Sequence, residues 1–286
     1  MPWEKVTLVG VGLLGGSLGQ ALRARKLAQS VVGLVRREES VAQAVACQSV
    51  DLATLDPEEA VNGADLVVLC TPLETMPVVS RQILPFLSDG ALLTDVGSVK
   101  RVVVQEMESL LKERNNLFVG SHPMAGKEKS GVVYASADLF EGAACVVTPG
   151  GTTTESALKA IEGLWKSVGG KPLRMEPSHH DRLVSKASHL PHVIAALLAD
   201  YVLDPQAVPE QQALCAGGFR DTTRIAEGDI AMWQDILRQN AAPLSESLDE
   251  YINKLKAFKV QLDRGEHEQL TLQLKSARQR RRDWAR

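Results

Sequence analysis

The side chains able to do chemistry in this chain of 286 residues gather in a few short stretches. Gly10-Val11-Gly12-Leu13-Leu14-Gly15 has the spacing of a phosphate-cradling turn. Its first glycine permits the tight bend, the second lets a pyrophosphate approach the backbone, and the third lets strand and helix pack closely. A helix opening there offers free N–H groups and the positive end of its dipole to an anion. Arg36-Arg37 ends the next apolar run, where an acidic residue would bind ribose hydroxyls; two guanidinium groups there suit a 2′-phosphate. Gly10, Gly12, Leu13, Leu14, Gly15, Arg36, Arg37, Thr71 and Pro72 are therefore read as a set binding NADP, with NAD as the alternative.

Three further segments are polar: Thr94-Asp95-Val96-Gly97-Ser98-Val99-Lys100, Gly120-Ser121-His122-Pro123-Met124-Ala125-Gly126 and Ser188-His189-Leu190-Pro191-His192. His122, between an apolar run and Pro123, is expected on a loop after a strand, where an imidazole accepts a proton near neutral pH. Ser98 stands where it could cap a helix over 99–113.

The elements that position these segments follow from the apolar pattern. Residues 5–10, 31–35, 65–70, 91–96, 117–120 and 144–148 read as buried strands. Residues 13–25, 38–48, 75–87, 99–113 and 153–168 carry apolar side chains at helical spacing, and 171–174 is a further strand. Alternating β and α predicts an α/β fold: a doubly wound parallel sheet with helices on both faces. Ligands of such sheets bind beyond the carboxyl ends of the strands, where segments 94–100 and 120–126 lie. After Pro177 the strands stop, and 179–203, 211–216, 230–239, 240–262 and 266–286 read as helices, with a break at Gly265. This predicts a dinucleotide-binding domain over 1–176 and an all-helical domain over 177–286. The apolar helix around 193–198 makes the second domain a candidate homodimer surface.

Composition narrows the class. Lys plus Arg number 32 and Asp plus Glu 35, a net charge of −3 without the basic footprint of a nucleic-acid partner. No apolar run approaches the roughly 20 residues of a membrane span, and Met1-Pro2-Trp3-Glu4-Lys5 has no basic region leading into an apolar one, so a secretory signal is not expected. The four cysteines are scattered without a metal or redox pair, which fits a cytoplasmic enzyme. In His179-His180-Asp181 the adjacent imidazoles point to different helix faces, so this is read as a helix start with an acid in its first turn, and no metal is expected. The Arg278-Gln279-Arg280-Arg281-Arg282 run is expected to be a solvated or fraying end.

Taken together, G-x-G-L-x-G-x-S, D-V-x-S-V-K, G-S-H-P-M-A-G, S-H-L-P-H and G-F-R-D-T-T-R-I-A resemble the prephenate/arogenate dehydrogenase family of tyrosine biosynthesis, in order from Val6 to about Asn240. The resemblance implies a Rossmann domain followed by a helical dimerisation domain. It also implies oxidative decarboxylation of a cyclohexadienol, with hydride passing to a nicotinamide cofactor. On the matching motifs, His122 hydrogen-bonds the ring hydroxyl, and Ser98 bonds the same hydroxyl or orients the imidazole. Arg224 takes a substrate carboxylate, and His192 reaches the substrate; His189, on the same helical face, belongs to that set or bonds helix partners. Glu128 is either an entry gate or a solvated charge. Two other readings remain at this point: a β-hydroxyacid-type dehydrogenase using Lys186, and a protein that senses NADP(H) without turnover.

Overall fold

Eight strands make one sheet in the order β3-β2-β1-β4-β5-β6-β7-β8. They are β1 (Trp3–Val9), β2 (Ala28–Leu34), β3 (Leu52–Thr54), β4 (Leu66–Leu69), β5 (Leu92–Asp95), β6 (Leu117–Pro123), β7 (Ala144–Thr148) and β8 (Lys171–Arg174). The computed structural model describes residues 3–127, 129–206 and 208–284, so Glu128 lies outside the described residues. The order reverses between β1 and β4, which pair in parallel with Val9 beside Leu69. That switch point is where an open α/β sheet forms its crevice.

The helices of the sheet are α1 (Leu13–Ala24), α2 (Glu38–Ala46), α3 (Pro57–Val61), α4 (Met76–Ile83), α5 (Arg101–Leu111) and α6 (Glu155–Ser167). Successive strand side chains point to opposite faces, so each strand feeds two cores. Leu8, Leu66 and Val68 join Leu18 and Leu22 of α1 and Ile161 and Trp165 of α6 on one face. Val9, Val67 and Leu69 join Ile83 of α4 and Val103, Met107 and Leu111 of α5 on the other. β4 and β5 are buried along their whole length, as strands covered on both faces must be.

Two features depart from the expected all-parallel sheet. β7 runs antiparallel to β6, with His122 opposite Val146. A parallel return needs a crossover, usually a helix, and the described residues of 124–143 supply only a short turn at Val132–Tyr134. The same pairing prolongs β6 to Pro123, so His122 lies in a strand rather than on the loop after it.

The chain divides into two compact units, 1–241 and 242–286. The first includes α7 (Pro177–Val184), α8 (Leu190–Val202), α9 (Pro209–Ala213), α10 (Gly217–Thr223) and α11 (Ile230–Gln239). α7 packs on α5 and β7, so the compact unit continues past Glu176. The second unit holds α12 (Ala241–Asp263) and α13 (His267–Trp284), joined at Gly265, whose φ of +67° suits a glycine. α13 stays helical to Trp284, with Arg281 over the indole ring and Arg278, Arg280, Arg281 and Arg282 exposed, so of the two alternatives this end is solvated. Among the described residues, no helix is long and apolar enough to cross a membrane.

Candidate active site

The turn from β1 into α1 leaves room for a ligand in one place only. Gly10 has φ +93°, and a Cβ there would lie 3.0 Å from the carbonyl oxygen of Cys70. A Cβ on Gly15 would lie 2.2 Å from the carbonyl oxygen of Gly10. Around Gly12, by contrast, a Cβ would meet nothing within 4 Å. Gly12 is the N-cap of α1 and no side chain caps the helix, so its first turn presents backbone N–H groups to that space. Leu13 and Leu14 line the turn half-buried, and Thr71, at the end of β4 beside Gly10, has a buried Oγ1 without a hydrogen-bond partner among the described residues. Pro72 follows it, exposed. Arg36 and Arg37 are exposed just past the end of β2, with Arg37 at the N-cap of α2. The open space, the bare helix end and the orphaned hydroxyl fit a dinucleotide.

His122 is 7% exposed, and its Nδ1 lies 2.9 Å from His180 Nε2. His180 Nδ1 in turn lies 2.8 Å from Asp181 Oδ1. Asp181 also accepts from the backbone N–H groups of Lys100 (2.8 Å) and Arg101 (3.0 Å), so it caps α5 from a different segment of the chain. This corrects the expectation for Ser98: α5 begins at Arg101, and Ser98 sits half-buried in the bend before it, outside the helix. It corrects His179-His180-Asp181 as well, since His180 and Asp181 reach across to β6 and α5 and do more than start a helix. Below them the fully buried Lys100 ammonium pairs with Asp95 and donates to the Ser121 carbonyl oxygen at 2.9 Å. Asp95 also accepts from Ser121 N–H at 2.9 Å and Gly97 N–H at 2.8 Å, which ties β5 to the strand carrying His122.

These surroundings keep His122 neutral. Burial, then the neighbouring His180, Lys100 and His189, hold its imidazole well below the usual histidine range. Burial lowers the Lys100 ammonium also, against the opposing pull of Asp95.

The helical segment supplies the rest. Pro191 has no N–H for the Ala187 carbonyl, and the backbone widens into a π-turn over Ser185–His189 before α8. His189 is 1% exposed and its Nδ1 accepts from Asn240 Nδ2 at 3.0 Å, the same amide that donates to the Asp181 carbonyl oxygen. Of the two roles open to His189, the structure displays the bond to a helix partner. His192 stacks on Trp233 with ring centroids 3.5 Å apart and bonds the backbone of Ile225. That bond joins it to the turn Arg224–Glu227, where Arg224 is exposed at the first position.

His122, His189 and His192 thus fall in one electrostatic cluster, since His189 feels Asp181, His180 and His192. His180, Asp181, Lys100, Asp95, Asn240 and Trp233 were not singled out as site residues from the sequence. The available signals were an adjacent His-Asp pair and a Lys next to the apolar residues Val99 and Val102 to Val104, since buried charged groups need partners.

The chain is similar to known proteins over nearly its whole length. Residues 18–173 match the prephenate dehydrogenase nucleotide-binding domain and 176–276 the prephenate dehydrogenase dimerization domain. Prephenate dehydrogenase of Bacillus subtilis is 33% identical over 277 residues, 96% of this chain and 74% of that protein. The crystal structure of prephenate dehydrogenase from Aquifex aeolicus in complex with hydroxyphenyl propionate and NAD+ is 34% identical, covers 99% of both chains and superposes with a TM-score of 0.92. Arogenate dehydrogenase of Synechocystis is 29% identical over 98% of this chain and 99% of that one, with a TM-score of 0.84. With both domains matched and the Bacillus subtilis relative 33% identical over 96% of this chain, the chain belongs to the prephenate dehydrogenase family.

Proposed function

We propose that this chain catalyses the oxidative decarboxylation of prephenate to 4-hydroxyphenylpyruvate, with arogenate as the alternative substrate. The observation that carries the reading is His122, held neutral on β6 with its Nδ1 turned to His180. Its Nε2 is then the nitrogen that accepts a hydrogen bond from the ring hydroxyl. A nicotinamide cofactor, its pyrophosphate held by the Gly12 turn, would supply the hydride acceptor. As hydride leaves the ring carbon bearing the hydroxyl, His122 Nε2 holds the hydroxyl proton. The opposite carbon then loses CO2, the electrons of the broken C–C bond flow into the ring, and the oxygen recovers its proton as the ring becomes aromatic. Ser98 bonds the same hydroxyl or steadies the imidazole, and Arg224 and His192 hold the substrate, with the guanidinium on a carboxylate. His189 acts behind them through Asn240.

NADP is the preferred cofactor on this reading, supported by Arg36 and Arg37 at the end of β2 and the first acids arriving only at Glu38 and Glu39. The working unit is a homodimer built through residues 177–286, supported by the dimerization-domain match over 176–276. The test is NADPH and NADH formation by the purified chain with prephenate and with arogenate. Turnover of neither substrate with either cofactor overturns the reading and favours a sensor of NADP(H).

A further inference from the structure

We infer that His180, backed by Asp181, is a positioning residue that sets the tautomer of His122, so that Nε2 faces the substrate unprotonated. The inference rests on the proposed role of His122 and goes beyond it, because it says what makes that nitrogen the basic one. The Asp181 oxygens accept from the backbone N–H groups of Lys100 and Arg101, which can only donate, and they lie at the positive end of α5. Asp181 therefore works as a carboxylate, and His180 Nδ1, 2.8 Å from Oδ1, must be its donor. A neutral His180 then has a lone pair on Nε2, and burial favours that neutral form. His122 Nδ1, 2.9 Å from that lone pair, carries the proton, and Nε2 of the same ring does not.

Other groups around the ring act on its charge without choosing its tautomer. Lys100 and His189 oppose protonation of His122, and Asp95 is engaged by Lys100 and the β5–β6 backbone. When His122 holds the substrate proton it becomes a cation donating from Nδ1 to His180, and Asp181 stabilises the pair without taking the proton itself. The same logic governs a carboxylate behind a catalytic imidazole. Here a second imidazole stands between the two. Asp181 also caps α5, so replacing it would disturb the fold, and His180 is the residue to change.

The test uses the whole chain in three variants, His180→Phe, His180→Gln and His122→Asn, together with ring-nitrogen NMR of the histidine-labelled wild type. Wild-type His122 should show a protonated Nδ1 and a bare Nε2. His180→Phe should move the proton toward Nε2 and lower kcat by about 10–100-fold, a part of the roughly 10²–10⁴ that a placed base contributes. KM and cofactor affinity should stay within about twofold. His180→Gln, whose amide oxygen still accepts from Nδ1, should recover much of kcat. A wild-type His122 protonated on Nε2 overturns the inference even if the Phe variant fails to fold, and so does an unchanged kcat in a folded His180→Phe. His122→Asn separates the two ideas: if it also keeps kcat, the proposed base is wrong, and if it alone loses kcat, only the positioning role is.

Discussion

The backbone N–H of Lys100 donates to the Asp181 carboxylate over 2.8 Å, so an acid from the helical segment caps the helix that leaves β5. The side chain of the same lysine turns down to Asp95 and the Ser121 carbonyl. One residue thereby joins the cap of α5, the β5–β6 backbone and the strand that carries His122.

Because that ammonium is fully buried, its loss should be felt in stability. Lys100→Ala leaves the Asp95 carboxylate buried without its cation and should cost about 3–5 kcal/mol in urea unfolding. Adding Asp95→Asn should return part of the loss. A single variant as stable as wild type would mean that water or another cation replaces the pair.

Activity should depend on His122 in its neutral form. His122→Asn should lower kcat by about 10²–10⁴ while cofactor binding moves little. The pH profile gives a second check, because kcat/KM reports groups of the free enzyme. With the His122 pKa held well below 6.5, kcat/KM should stay level from about pH 8 down to 6.5 and fall only below that. A midpoint at or above 6.5 would contradict the burial of this ring.

Cofactor choice should follow the end of β2. Replacing Arg36 and Arg37 together by Ser should weaken NADP binding by about tenfold or more, since each charge-assisted bond contributes at best about 1.5–3 kcal/mol and less where exposed. NAD binding should hold within about twofold. Titration of both cofactors by fluorescence checks this, and equal losses for the two would move the 2′-phosphate elsewhere.

Arg224→Ala should raise KM for the substrate by about 10–100-fold, the range of a hydrogen bond to a charged group, with the lower end favoured by its exposure. Cofactor affinity should be unchanged. Steady-state kinetics with both candidate substrates read the effect, and an unaltered KM for both removes Arg224 from the substrate set.

The buried histidines should also make the fold sensitive to acid. Burial pushes His189 down to about 4 from the ordinary 6.5, and His122 and His180 shift the same way. Below pH 6.5 the unfolded chain binds protons that the folded chain refuses, so stability held above that pH is lost as pH falls toward 4. For His189 alone the full loss is about 3 kcal/mol. Tm measured from pH 7 to about 4 should fall steadily, and less steeply in His189→Gln.

How much of this was legible in the residues depends on how far each feature reaches along the chain. The glycine turn is local: Gly10 takes the positive φ of the bend and a Cβ on Gly15 would strike the Gly10 carbonyl five residues back, so the spacing alone declares the bend. Apolar periodicity likewise declares the strands and helices, because the side chains that bury an element belong to that element. The exceptions are short. β3 has three residues, too few for a pattern, and β6 runs on to Pro123 because β7 pairs with it there.

Periodicity says which side of a helix is buried, but not which partner a buried polar group will meet. Sequence alone therefore determined the α/β order and the glycine turn, and it singled out His122 as a candidate. Only the tertiary structure decided that His180, 58 residues along the chain, would face His122 Nδ1, and that Asp181, 81 residues from Lys100, would displace Ser98 as the cap of α5. The reason is physical: a buried polar group takes whatever partner the packed elements bring within about 3 Å, and distance along the chain plays no part in that choice.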